Sequence, residues 1–209
     1  MVDPDGFLQR CRYILTSPEK EWYSIVEEDK PPSQLTLHFA LPLILFGSLA
    51  LWAGGFFQVH MLWDALLNGL QELVLLLIFS AGVWFLTQRI SSYSAFSKAF
   101  RISVYSLGVL WICQIPANLT FLLSWVEIFG LYGLYVLYLG IVPALNARSN
   151  MQNPLFIAFL FWFLVSYIGV EVLFMLGSWY SSLGSLISNR LLFFHNLPNK
   201  NPIFGKWLT

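Results

Sequence analysis

Three glutamates, Glu72, Glu127 and Glu171, stand in stretches that are otherwise almost entirely apolar. A lone carboxylate in hydrocarbon costs about 2.5 kcal/mol or more, so such groups must face one another, face water or hold a proton. Amides accompany them: Gln114 and Asn118 are one helical turn apart, and Asn68 and Gln71 lie just ahead of Glu72. Carboxylates and amides gathered at one depth can bind a cation or exchange protons. The same groups can equally satisfy one another and pin the register of the helices that carry them. Soluble-enzyme chemistry has no foothold, because GxGxxG, a phosphate loop, HExxH and GxSxG are all missing, and His38, His60 and His195 have no ligand spacing. No catalytic residue, metal site or cofactor is expected, since no nucleophile stands beside a base at a recognisable spacing.

The elements that position these groups follow from composition. Of 209 residues, 57% are hydrophobic and 11% charged, more apolar residue than a soluble domain of this size could enclose. The chain reads as an all-α, polytopic membrane protein. Five apolar stretches are long enough to cross a bilayer, at 37–57, 65–86, 102–123, 125–145 and 154–176, forming a five-helix transmembrane domain over 37–176. Pro42 and Pro116 sit inside spans one and three, where each marks a bend. Spans three and four are nearly continuous, so the spacing predicts a tight hairpin turning near Ser124. Lysine plus arginine equals aspartate plus glutamate at 11 each, which suggests neither nucleic acid nor a polybasic membrane tether.

Lysine and arginine in the connecting segments set the orientation. Arg10, Arg12, Lys20 and Lys30 precede span one; Arg89, Lys98 and Arg101 separate spans two and three; Arg148 precedes span five. The opposite side carries only Arg190, Lys200 and Lys206, well beyond the last span. The N-terminus is therefore expected in the cytoplasm and the C-terminus outside. In that orientation Glu72, Glu127 and Glu171 all fall in the outer half of the bilayer, with Asn68, Gln71, Gln114 and Asn118 at the same level.

Residues 1–36 read as an amphipathic cytoplasmic headpiece. Phe7, Leu8, Cys11, Ile14 and Leu15 share one face of a short helix, which can lie in the headgroup region with Arg10 and Arg12 reaching phosphates, or pack on the protein's own surface. Ser17 can cap a second helix that opens at Pro18 and carries Trp22, Ile25 and Val26 on its apolar side. Asp29, Lys30, Pro31 and Pro32 then break the chain ahead of the membrane. Residues 177–209 form an expected extracytoplasmic tail: 179–195 is apolar enough to lie along the membrane but interrupted by Ser and Gly, and 196–209 looks irregular.

Span four has two unlike faces. Gly130, Gly133 and Gly140 fall in one narrow sector of the helical wheel, and Tyr132, Tyr135 and Tyr138 spread over the other side. Glycines let another backbone approach, which is how helices associate in lipid. Span four is accordingly expected to be the hub of the bundle, and a surface for self-association or a protein partner.

Three stretches carry a family resemblance: ILTSPEKEWYSI (Ile14 to Ile25), YSLGVLWICQIPANL (Tyr105 to Leu119) and YGLYVLYLGIVPALN (Tyr132 to Asn146). In order, spacing and five-span plan, the chain resembles the Yip1 family, especially its bacterial inner-membrane branch. The resemblance implies a non-enzymatic membrane protein acting as a scaffold or adaptor in membrane organisation or trafficking. Eukaryotic members are associated with Rab GTPases, vesicle transport and membrane shaping. Their Asp-Leu-Tyr-Gly-Pro signature does not occur here, which counts against a Rab-type partner. The competing expectation is a small cation or proton transporter built on the carboxylates.

Overall fold

The computed structural model describes residues 4–56, 58–90, 96–145 and 147–195, and within these every regular element is helical. Two short helices, α1 (Pro4–Thr16) and α2 (Pro18–Glu28), precede five long ones. These are α3 (Pro32–Gly54), α4 (Val59–Ile90), α5 (Phe96–Leu119), α6 (Phe121–Leu145) and α7 (Gln152–His195). All five are long and apolar enough to cross a membrane, and the protein is an integral membrane protein. By compactness the chain divides into Met1–Val170 and Glu171–Thr209.

Local chemistry explains the irregularities. Pro42 has no N–H to donate, and its ring would strike the carbonyl four residues back. A wide π turn at Thr36–Ala40 opens the helix just ahead of it, with the Leu41 N–H bonding Thr36 O. Span three ends at Leu119, and the hairpin turns at Thr120, not near Ser124. Thr120 alone is extended (φ −151°, ψ 145°). The next 11 residues, Phe121–Leu131, wind as a 3₁₀ helix before α geometry resumes at Tyr132. At about 2.0 Å per residue that segment reaches about 22 Å, further than α geometry allows.

The hub is α5 rather than α6. Its apolar window is 56% buried, against 44% for the windows of α3 and α6, 39% for α4 and 22% for α7. Ala99, Ser103, Ser106 and Gly108 keep its surface low, and α3, α4 and α6 all pack against it. The glycines of α6 serve this packing. A Cβ at Gly130 would meet the Leu110 side chain, one at Gly133 the Ser106 carbonyl oxygen, and one at Gly140 the Trp22 indole.

The first part of α7 leans on α4, where Trp162 Nε1 donates to Ile78 O at 3.2 Å and Phe163 meets Phe79 edge-on. Gly82 leaves room for the Trp162 ring. In the second unit the helix continues through Gly177 and Gly184 to His195. Glycine is tolerated in apolar helices, and no proline occurs between Pro154 and Pro198. Val172, Leu173, Met175 and Leu176 are exposed on this part. Residues 196–209 lie outside the described residues.

Candidate functional site

Of the polar residues expected to gather in the spans, Gln114 meets Glu72. Glu72 is 5% exposed on α4. Trp111 Nε1 donates to its Oε2 at 2.9 Å, and Gln114 Nε2 donates to its Oε1 at 2.8 Å. One turn further along α5, Asn118 Nδ2 donates to the Gly47 carbonyl of α3 at 3.2 Å. The seam therefore ties α3, α4 and α5 together. Close approach of α3 and α4 continues at Gly69, where a Cβ would press on Ser48 Oγ. Asn68 and Gln71 are half-buried on the same helix, and Gln71 has a partner of its own. An indole counts as apolar in a hydropathy pattern, yet Trp111 shares a face with Gln114 and Asn118 at i, i+3, i+7.

Glu127 is placed differently. It is exposed on the 3₁₀ segment, in line with Gly130, and borders a cavity of about 60 Å³ lined by Phe79, Leu107, Leu110 and Phe163. Glu171 is exposed at the start of the second unit. Among the described residues no group of three His, Cys, Asp or Glu side chains is arranged to hold a metal ion.

The headpiece makes a second constellation. Trp22, on α2, is 1% exposed; its Nε1 donates to Val136 O at 2.9 Å, and its ring stands edge-on to Tyr105 at 6.0 Å. Trp22 belongs to the apolar side expected of a membrane-surface headpiece, and its indole is enclosed by protein, with a glycine-lined socket at Gly140 and the Val136 carbonyl to bond. Arg101, 2% exposed at the base of α5, donates to the Asp29 carboxylate and to Val26 O and Lys30 O at 3.5 and 3.4 Å. Asp29 ends α2 in the left-handed region (φ 41°), a conformation Asp tolerates better than most residues. Two latches, Trp22 and Arg101, thus fasten the headpiece to the bundle.

Arg10 is likewise turned inward, not toward lipid phosphate. Its guanidinium pairs with Glu21 and Glu28, and Lys30 Nζ lies 2.7 Å from Glu28. Partial burial would raise the Glu28 carboxyl, but hydrogen bonds from Lys30 and Arg10 outweigh it and hold it below its ordinary value. The Arg101 guanidinium, by hydrogen bond and charge, holds Asp29 low as well. Phe7 packs toward Phe39 at 6.0 Å, while Leu8 and Arg12 stay exposed. Between α1, α2 and the start of α3 lies a half-open cleft of about 510 Å³, its floor formed by Phe39 and Tyr105. No single motif announced it, because its walls come from four separate segments.

The family model for the Yip1 domain matches residues 12–173. No curated protein and no solved structure matches the chain. That match runs from α1 through all of α2 to α6 and into α7, taking in both latches and the Glu72 seam, and the chain belongs to the Yip1 family.

Proposed function

We propose that the protein is a non-enzymatic scaffold or adaptor of a bacterial inner membrane, with its headpiece in the cytoplasm and its C-terminus outside. One observation carries this reading: the headpiece is built into the bundle through Trp22 and Arg101, giving a fixed composite face that a partner can recognise. The division into a headpiece over 1–36, a five-helix domain over 37–176 and a tail over 177–209 belongs to the same proposal. Glu72 supports it from the other side. A carboxylate whose two oxygens each accept a hydrogen bond from an interior donor works as a pin between helices more readily than as a carrier.

The deciding experiment is ion and proton flux in liposomes holding the purified protein, wild type beside Glu72→Gln and Glu171→Gln. The scaffold reading expects no flux from correctly inserted wild type. Flux that both variants abolish, while remaining folded, overturns it in favour of a transporter. Partner capture should then be compared between wild type and Trp22→Ala, and a scaffold loses its partners when the headpiece comes loose.

A further inference from the structure

The cleft under the headpiece has a particular charge pattern. Arg10 and Lys30 are balanced by Glu21 and Glu28 in three ion pairs, so the walls hold two cations and two carboxylates. The Arg10 and Glu21 side chains are only 13% and 11% exposed, which removes much of the screening that weakens surface pairs. A simple anion would meet two carboxylates there, and a simple cation would meet Arg10. A ligand with both charges can exchange partners with the pairs and leave the wall neutral.

Polarity also changes with depth. The rim offers Gln9, Ser24 and Gln34, whereas the floor is the Phe39 ring, tilted against Tyr105 with ring centroids 4.8 Å apart and accompanied by buried Leu35. Span-forming helix begins at Pro32, so Phe39 lies about 10 Å along it at the usual helical rise. The cleft therefore passes from charged to apolar where the chain enters the bilayer. Its volume of about 510 Å³ is that of a small-molecule site.

We propose that this cleft binds the head of a zwitterionic phospholipid, with the ammonium against Glu21 and Glu28, the phosphate against Arg10 and Lys30, and the glycerol region on Phe39 and Tyr105. The site goes beyond the scaffold reading and stands whether or not the protein moves ions.

The test is native mass spectrometry and thermal melting of the full chain in detergent, with phosphatidylethanolamine, phosphatidylcholine or phosphatidylglycerol added. Both zwitterionic lipids should bind at least about tenfold more tightly than the anionic one. Ser24→Phe, which fills the cleft from an exposed wall position and spares every ion pair, should weaken them about tenfold with unchanged lipid-free melting. Equal or tighter binding of phosphatidylglycerol overturns the proposal, as does full binding by a well-folded Ser24→Phe. Should Ser24→Phe melt early, Lys30→Gln replaces it: the side chain is 46% exposed, and loss of the zwitterion preference is expected. An unchanged preference in Lys30→Gln overturns the proposal. Glycerophosphoethanolamine separates the sources. Failure to displace the lipid at about hundredfold excess supports a lipid ligand, and displacement at equal concentration overturns the lipid as ligand.

Discussion

Removing the Trp22 side chain should release the headpiece without unfolding the bundle. Trp22→Ala empties a fully buried site and deletes the bond to Val136 O, and such truncations cost about 3 to 5 kcal/mol. Even the lower figure reduces protection from hydrogen exchange in α2 by more than about a hundredfold, because each 1.4 kcal/mol is tenfold. Trp22→Phe keeps most of the ring and loses mainly the hydrogen bond, so about 0.5 to 1.5 kcal/mol is expected. Gly140 supplies the stricter check. A Cβ there would run into the six-membered ring of the indole, a rigid group held between α6 and Tyr105, so Gly140→Ala should cost about 1 to 3 kcal/mol. In a Trp22→Ala background the ring is gone, and alanine's helix propensity should make the same substitution neutral or favourable by about 1 kcal/mol. Exchange of α2 amides across this four-protein cycle measures the reversal. If Gly140→Ala costs the same with and without the indole, the socket is not what holds the headpiece.

Three further outcomes follow from the geometry. Glu72→Gln replaces one acceptor oxygen by a donor, leaving either Trp111 Nε1 or Gln114 Nε2 unsatisfied, so the bundle should lose about 1 to 3 kcal/mol, read as earlier thermal melting in detergent. Headpiece docking should weaken in acid: Glu28, facing Arg10 and Lys30, and Asp29, facing Arg101 and Lys98, are both held below their ordinary values of 4.5 and 3.8. A depressed carboxyl lends stability that is complete above its unfolded value and is lost as pH falls through the folded one, so α2 protection should be flat above these values and decline only below them. Burial pushes the Cys11 thiol up to about 11 from 9.0, leaving about a hundredfold less thiolate at neutral pH, and alkylation of this site should be correspondingly slow until the headpiece is released.

Hydropathy made the five spans readable, because a stretch that must satisfy its own backbone in lipid leaves a long apolar run. It was blind to Thr120, since one extended residue between two apolar runs changes neither length nor polarity. Glu72, Gln114 and Asn118 could be singled out as polar groups needing partners, but their partners could not: one is an indole N–H and another a backbone carbonyl. Periodicity likewise found the faces of α1 and α2 without saying what covers them. Trp22 and Ile25 look the same in sequence whether they enter lipid or protein, and only the socket at Gly140 decides. Arg101 counted as a connecting-segment charge, yet it is buried because the end of α2 folds back to meet it.

The glycine face of α6 shows how a packing pattern can be legible while the group it packs against is not. Small residues at helical spacing mark close helix contact in lipid, and from sequence that contact can be with the same chain or with another copy. Here α5 and Trp22 occupy it. At Gly133 the atom that a Cβ would meet is the Ser106 carbonyl oxygen, part of a helical backbone that cannot rotate aside as a side chain would. Gly133→Ala should therefore separate α5 from α6, lowering the melting temperature of the single chain and leaving its oligomeric distribution alone. What α6 turns outward is bulky: Phe129, Leu131 and Tyr135 are exposed, and they keep another backbone at a distance. A Gly133→Ala protein that melts normally but shifts between monomer and dimer in native mass spectrometry would return the glycines to an interface between copies. An early-melting protein with unchanged stoichiometry fixes them as internal packing, and any self-association must then use α6's aromatic side or another helix.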